Sequence, residues 1–312
     1  MIGFMKKGCL GLVFLIFIFS CNLDQVRDQE VNVKVDYLEY LEINPGGLEV
    51  RIIGDQSLKE TLIDAKLVRE NEFSPLLKVN RQFGRIVLDL DNIRNNVNPT
   101  AGLIEIKTPG NLEFKIVGGI GKILIANLET ERIQIDHKSG EVALQNIKAK
   151  ELLVMQNTGV FSANQIESED FFVNLLGGLG SIQNCKGILG VFTEGGKITV
   201  QNVETMSLAA ANSPGGLVSI QQVGQLSAAS AGRGEVKGEN VGLANRVELN
   251  VAGGTIILQT PSDLSRYGFL FNMSPGSVVV GGRVFNSSVS DFIDGQPLMF
   301  GSLYGGTVLV KN

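Results

Sequence analysis

Few side chains in this 312-residue chain are of a kind that does covalent or acid–base chemistry. There is one histidine, His137, and there are three cysteines, Cys9, Cys21 and Cys185. His137 stands in Asp136-His137-Lys138-Ser139-Gly140, where a strand is expected to turn, and a lone turn histidine reads as a solvated side chain. Asp136 is close enough in sequence to help it titrate, but no serine or cysteine nucleophile has a recognisable setting beside it. One histidine and one buried cysteine do not make a zinc site. The equivalent positions further along are uncharged, Met155-Gln156 and Asn174-Leu175, so no row of carboxylates builds up of the sort that cleaves polysaccharides on some parallel β-helices. The chain therefore reads as not an enzyme, and no cofactor is expected.

The cysteine with a chemical setting is Cys21. Lys6 and Lys7 precede an uncharged apolar run from Gly8 to Phe19, which stops at Ser20-Cys21 before the polar Asn22-Leu23-Asp24-Gln25. That order of charge and length is that of a signal peptide, and the run falls short of the roughly 20 apolar residues a spanning helix needs. Ile18-Phe19-Ser20-Cys21 resembles the bacterial lipobox, in a looser form like that of spirochaete lipoproteins. The resemblance implies removal of residues 1–20 and a diacylglyceryl group on the Cys21 thiol, which holds the protein to a membrane of the cell envelope; the alternative is ordinary secretion with Cys21 incidental. Each buried methylene contributes roughly 0.8 kcal/mol and stable anchoring takes more than one chain. Residues 21–33, with Asp24, Arg27, Asp28 and Glu30, read as the tether.

With Cys9 lost and Cys21 acylated, Cys185 has no partner for an intrachain disulfide, so burial alone must hold the chain together. The net charge is −5, and −7 without Lys6 and Lys7, with no basic run. That excludes the clustered lysines and arginines by which nucleic acid is bound. There are 38 glycines, 8 prolines and no tryptophan, a composition of many tight turns between short strands.

The elements that position these residues follow from an internal repeat. Glycines recur at 102, 121, 140, 159, 178, 196, 216, 234 and 254, nine units about 19 residues apart. Two and four residues after the glycine the side chains are mostly apolar, as in Ile104 and Ile106, Ile123 and Ile125, Ile198 and Val200, which is the period of a half-buried strand. Six residues after it comes a polar column, Thr108, Asn127, Asn146, Gln165, Asn184, Asn202, Gln222, Asn240 and Thr260. Further strands follow in several units, for example Ile133-Gln134-Ile135 and Phe171-Phe172-Val173.

A unit this short cannot bury its apolar face alone, so successive units must stack, each strand on its equivalent in the next. The expected fold is all-β, a parallel β-solenoid of about nine coils with β-rich caps. Residues 34–101 form an N-terminal β segment, 102–261 the solenoid and 262–312 a C-terminal β cap. The eight steps from Gly102 to Gly254 correspond to about 38 Å of stack. The polar column is expected to be a buried ladder of side-chain amides, with asparagine also suited to a left-handed turn. Cys185 occupies a slot filled elsewhere by Val or Ile and reads as a buried, inert thiol, and Phe161 is expected to fill the space left by Gly180.

Lys138-Ser139-Gly140-Glu141-Val142 and Asn157-Thr158-Gly159-Val160-Phe161 show the Ser/Thr-Gly-x-hydrophobic repeat of the bacterial putative-adhesin domains, which the chain resembles from roughly Val33 to Asn312. Glu194-Gly195-Gly196-Lys197-Ile198 departs from that pattern by having Gly195 in place of Ser or Thr. The resemblance implies adhesion but transfers no catalytic or ligand residues.

Between Phe171 and Gly232 the charges are Lys186, Glu194, Lys197 and Glu204 alone, and outward strand positions carry Ser181, Gln183, Thr199, Gln201, Ser219 and Gln221. This flat, neutral face is the expected contact surface for a protein or glycan ligand. Two other readings stay open: a face covered by the terminal segments, and a structural scaffold of the envelope with no ligand.

Overall fold

The computed structural model describes residues 28–69, 76–90 and 101–312. The signal peptide, Cys21 and most of the expected tether lie outside them. Among the described residues no helix is long and apolar enough to cross a membrane.

The N-terminal strands are β1 (Gln29–Val35), β2 (Tyr40–Asn44), β3 (Glu49–Gly54), β4 (Thr61–Leu67), β5 (Leu77–Gln82) and β6 (Arg85–Leu90). The first repeat unit supplies β7 (Gly102–Thr108) and β8 (Glu113–Val117). Three whole coils then run without a break in backbone pairing as β9 (Ile120–Leu175). Later coils form β10 (Leu179–Thr193), β11 (Lys197–Ala211), β12 (Leu217–Ala231), β13 (Glu235–Val251) and β14 (Thr255–Gln259). The C-terminal part adds β15 (Gly268–Met273), β16 (Ser277–Val280), β17 (Arg283–Phe285), β18 (Val289–Asp291), β19 (Leu298–Leu303) and β20 (Thr307–Lys311). The architecture is an open parallel β-solenoid, β9 to β10 to β11 to β12 to β13 pairing in parallel one above the next.

Each coil folds into three short runs. In the coil that begins at Gly159, residues 160–164 form the first, Gln165 turns the chain, 166–170 form the second and 171–175 the third. Inward positions alternate along each: Phe161 and Ala163, then Ile166 and Ser168, then Phe171, Val173 and Leu175, all buried. The same positions in every coil join into one continuous core. Each inward aliphatic contributes about 1.5–3 kcal/mol by burial, which is how the rod holds together with Cys185 free.

The starting glycine is required by contact as well as conformation. Gly159 has φ +116° and a Cβ built on it would meet the Gly140 carbonyl oxygen at 2.0 Å. Gly140 stands in the same relation to Gly121, at 1.9 Å.

The ends differ from the expected simple stack. β3 lies between β7 and β9, with Val50 paired to Ile104 on one side and to Ile123 on the other. The Gly102 unit therefore meets the next coil directly only beyond its first run, where Asn111 N–H donates to Glu129 O at 3.0 Å and β8 pairs β9. β4 and then β1 continue the first run outward as antiparallel strands, while β2, β6 and β5 continue the third. At the other end β14, β20 and β16 extend the first run and β13, β19 and β15 the third. The strand order begins at Gln29, inside the segment read as tether, because Val31, Val33 and Val35 alternate along β1 and pair with Ala65, Ile63 and Thr61 of β4.

Two packing expectations are corrected. The space at Gly180 is closed by Leu175 Cδ1 at 2.7 Å and Ile198 Cγ1 at 3.3 Å, measured to a Cβ built there, and the neighbouring Phe161 is not among the nearest groups. His137 is not solvated: it ends the third run of its coil, inward, and is 1% exposed. Its ring nitrogens lie 3.4 Å from the Gly118 carbonyl and 3.2 Å from that of Gly121. The glycine-rich turn leaves room for an imidazole, and its carbonyls offer an acceptor to the ring N–H.

Candidate binding surface

The polar column is a corner, and it is exposed. Asn127, Asn146, Gln165, Asn184, Asn202, Gln222 and Asn240 all have φ between +52° and +59° and are exposed. The expected buried ladder is thus corrected to a solvent-facing turn. Asparagine tolerates the left-handed region because its short amide bonds locally, and it is this backbone demand that repeats. Side-chain bonds between neighbouring coils are partial: Asn146 Nδ2 donates to Asn127 Oδ1 at 2.9 Å and Asn202 Nδ2 to Asn184 Oδ1 at 2.7 Å. Asn184 instead donates to Asn164, at 2.8 Å, on the neighbouring column.

That second column matters, because Gln145, Asn164, Gln183, Gln201 and Gln221 directly precede corner residues. Asn164 pairs with Gln183, Gln183 with Gln201 and Gln201 with Gln221. Five successive coils therefore each present two adjacent carboxamides, spaced about 4.8 Å apart along the rod. Inside this double row runs a hydroxyl column, Ser162, Ser181, Thr199 and Ser219, also in register. On its far side come Val160, Leu179 and Leu217, the first two exposed.

All six residues expected to make the contact surface lie together on this face. Gln183, Thr199 and Gln221 are exposed, and Ser181, Gln201 and Ser219 are half-buried beside their neighbours. The described terminal strands pair with the two ends of the rod and, among the described residues, leave the face open. One charge, the exposed Lys197, stands in that apolar column between Leu179 and Leu217, and more return at the borders, with Lys122 paired to Glu141 at 3.2 Å on one side and Lys237 to Glu235 at 2.8 Å on the other.

Around the corner the second run is charged. Glu129, Lys148, Glu167 and Lys186 form one column and Glu131, Lys150 and Glu169 a second, each alternating in sign. Lys148 Nζ lies 2.9 Å from Glu129 Oε1, and Lys150 pairs with Glu131 and Arg132 with Glu151. Hydrogen bonding to Glu129 and then its charge raise the pKa of Lys148 above the ordinary lysine value, and Glu131 does the same for Lys150. Between this column and the amide corner lies an open groove of about 540 Å³, from Asn127 to Asn184. It continues past Asn202, Gln222 and Asn240 as a section of about 770 Å³. The charge columns keep the glycine register, eight and ten residues after it, and that spacing is the signal in the sequence that marks them.

Cys185 is buried, and burial pushes its thiol up to about 12. Among the described residues no three His, Cys, Asp or Glu side chains are grouped to hold a metal ion.

A model of the family described as Toastrack DUF4097 matches residues 90–289. No curated protein matches the chain. Among solved structures, a putative adhesin from Parabacteroides merdae is similar over 92% of this chain and 98% of its own, at 9% identity and a TM-score of 0.33. A putative cell adhesion protein from Clostridium sporogenes is similar over 91% of this chain and 99% of its own, at 14% identity and a TM-score of 0.23.

Proposed function

The chain belongs to the Toastrack DUF4097 family, and on that premise we propose that it is a non-catalytic binding module, held to an envelope membrane by lipid on Cys21, whose amide-lined face takes a protein or glycan ligand. The observation that carries the reading is the double carboxamide row over five coils, uncharged and open to solvent. A carboxamide both donates and accepts and has no net charge, so a row of them suits a partner rich in hydroxyls or backbone amides. Desolvating it costs far less than desolvating a charged face.

The test is the triple variant Ser181→Lys, Thr199→Lys, Ser219→Lys, one substitution in each of three consecutive coils. With circular dichroism and thermal melting unchanged, binding to whole-cell or host-matrix extracts should be lost. Retained binding by a folded variant refutes this face as the contact surface. The anchor has its own test: Cys21→Ala should abolish labelling by a fatty-acid probe and release the protein from the detergent phase.

The second reading is a structural scaffold of the envelope. The coil-to-coil ion pairs of the second run and the strands that close both ends favour it, since both stiffen and protect a rod. Protease shaving of intact cells separates the two, removing an exposed binding module and sparing an internal scaffold.

A further inference from the structure

The most exposed large apolar side chain among the described residues is Phe83, at 94%. It sits at the tip of the β5–β6 hairpin, where Gly84 takes φ +66°. Its ring leans on that of Tyr37, centroids 5.9 Å apart, and Tyr37 is itself 54% exposed. The Tyr37 hydroxyl donates to Glu39, so the polar end of the pair is satisfied and the ring faces are left open.

The position of this pair is set by where the chain enters the fold. β1 and β5 are the outermost strands of the N-terminal end, and they are tied to each other. The Gln29 side chain donates to the Leu77 carbonyl at 2.9 Å and accepts from the Leu77 N–H at 2.8 Å. The six residues of β5 span about 20 Å, so the hairpin tip lies about that far from Leu77, which the Gln29 side chain holds beside the point of entry. Cys21 precedes Gln29 by eight residues, a contour of at most about 28 Å. A lipid on Cys21 therefore keeps the end of the rod that bears Phe83 within reach of the bilayer surface. The strands β14 and β20 stand more than about 50 Å further along the stack at about 4.8 Å per layer.

We infer that Phe83, with Tyr37 beside it, is a membrane contact that enters the interfacial layer of the bilayer and sets the rod end-on to it. This rests on the lipid anchor proposed above. Aromatic rings with one polar end favour that layer, and burial of the exposed phenyl ring supplies the driving force.

The chain has no tryptophan, so Phe83→Trp makes a single reporter at an exposed site. Residues 21–312 contain every strand described and carry two thiols, of which Cys185 is buried. Maleimide-bearing lipid in phosphatidylcholine vesicles will therefore couple at Cys21. Tyr304→Trp, 66% exposed and towards the other end, is the matching control. On coupling, the Phe83→Trp protein should show a blue shift in emission and quenching by brominated acyl chains, while the Tyr304→Trp protein keeps its solvent spectrum. An unchanged spectrum from Phe83→Trp overturns the inference. So does quenching at both sites, which means a rod lying flat, and so does a blue shift without acyl-chain quenching, which means that protein covers the tip. Chemical coupling bypasses cellular acylation, so failure of fatty-acid labelling in cells and failure of this contact are separate results.

Discussion

His137 and Gln156 hold the same place in successive coils, 19 residues apart, and each sets its Nε2 against the carbonyl of a starting glycine: Gly121 at 3.2 Å for the histidine, Gly140 at 3.0 Å for the glutamine. The glutamine also donates to Thr158 O at 3.0 Å. Thr193 repeats the theme further along, fully buried, its hydroxyl accepting from Gly196 N–H at 2.9 Å. In each case a buried polar side chain at the end of a third run meets the backbone of a starting glycine.

His137→Ala should therefore destabilise the fold, by roughly 1–3 kcal/mol for the buried group left unpaired, plus the cavity. His137→Gln, which copies the next coil, should recover most of the loss. Urea unfolding of the three proteins measures it, and equal midpoints for Ala and wild type would mean the histidine bonds contribute nothing.

At the amide corner the backbone sets the cost. Asn146→Leu should lose about 1–2 kcal/mol because a branched apolar residue is forced into the left-handed region at φ +52°. Asn146→Gly should stay near wild type, since glycine enters that region freely. If both substitutions cost the same in thermal melts, the bond to Asn127 and not the backbone is what matters.

The second run should respond to salt. Lys148→Glu makes three successive carboxylates in one column, at 129, 148 and 167, and the melting temperature should fall at low ionic strength and recover in part at about 1 M, where the Debye length is near 3 Å. The raised pKa of Lys148 means that its contribution is complete below the unfolded lysine value and is lost as pH rises through the folded one. A salt-independent loss would point to packing instead.

Cys185 should resist alkylating reagents in the native state at neutral pH and react fully in denaturant, because the reactive thiolate is disfavoured. Its folded pKa of about 12 lies above the unfolded value of about 8.5. The unfolded chain thus gives up its proton first, and stability falls as pH rises between the two. Cys185→Val, the residue of the next coil, should remove that part of the alkaline loss. Rapid native labelling would show that the coil opens.

Much of the fold was legible because burial writes itself into period: Ile123, Val142 and Phe161 fall at equal spacing, and stacking is the one way to cover all of them. The outward face was legible for a like reason, since Ser181, Thr199 and Ser219 each stand three residues after the starting glycine of their coil. What lies off the period was not. No spacing announces that β3 threads between β7 and β9, because Val50 belongs to no repeat. His137 reads as a turn residue until its neighbours Gly118 and Gly121 are seen to enclose it. The exposure of Asn146 was hidden too, because an inward amide and a left-handed corner demand the same residue.

The place of β3 between β7 and β9 also bears on how such a rod changes length. Removing residues 160–178, one whole coil, would join like to like and leave a shorter rod with both ends intact, and duplicating them would lengthen it in the same way. No such cut is open between Gly102 and Gly121, because Val50 from far upstream occupies the joint. Gain and loss of coils by duplication or deletion are therefore confined to the interior, and the first layers are inherited as a unit.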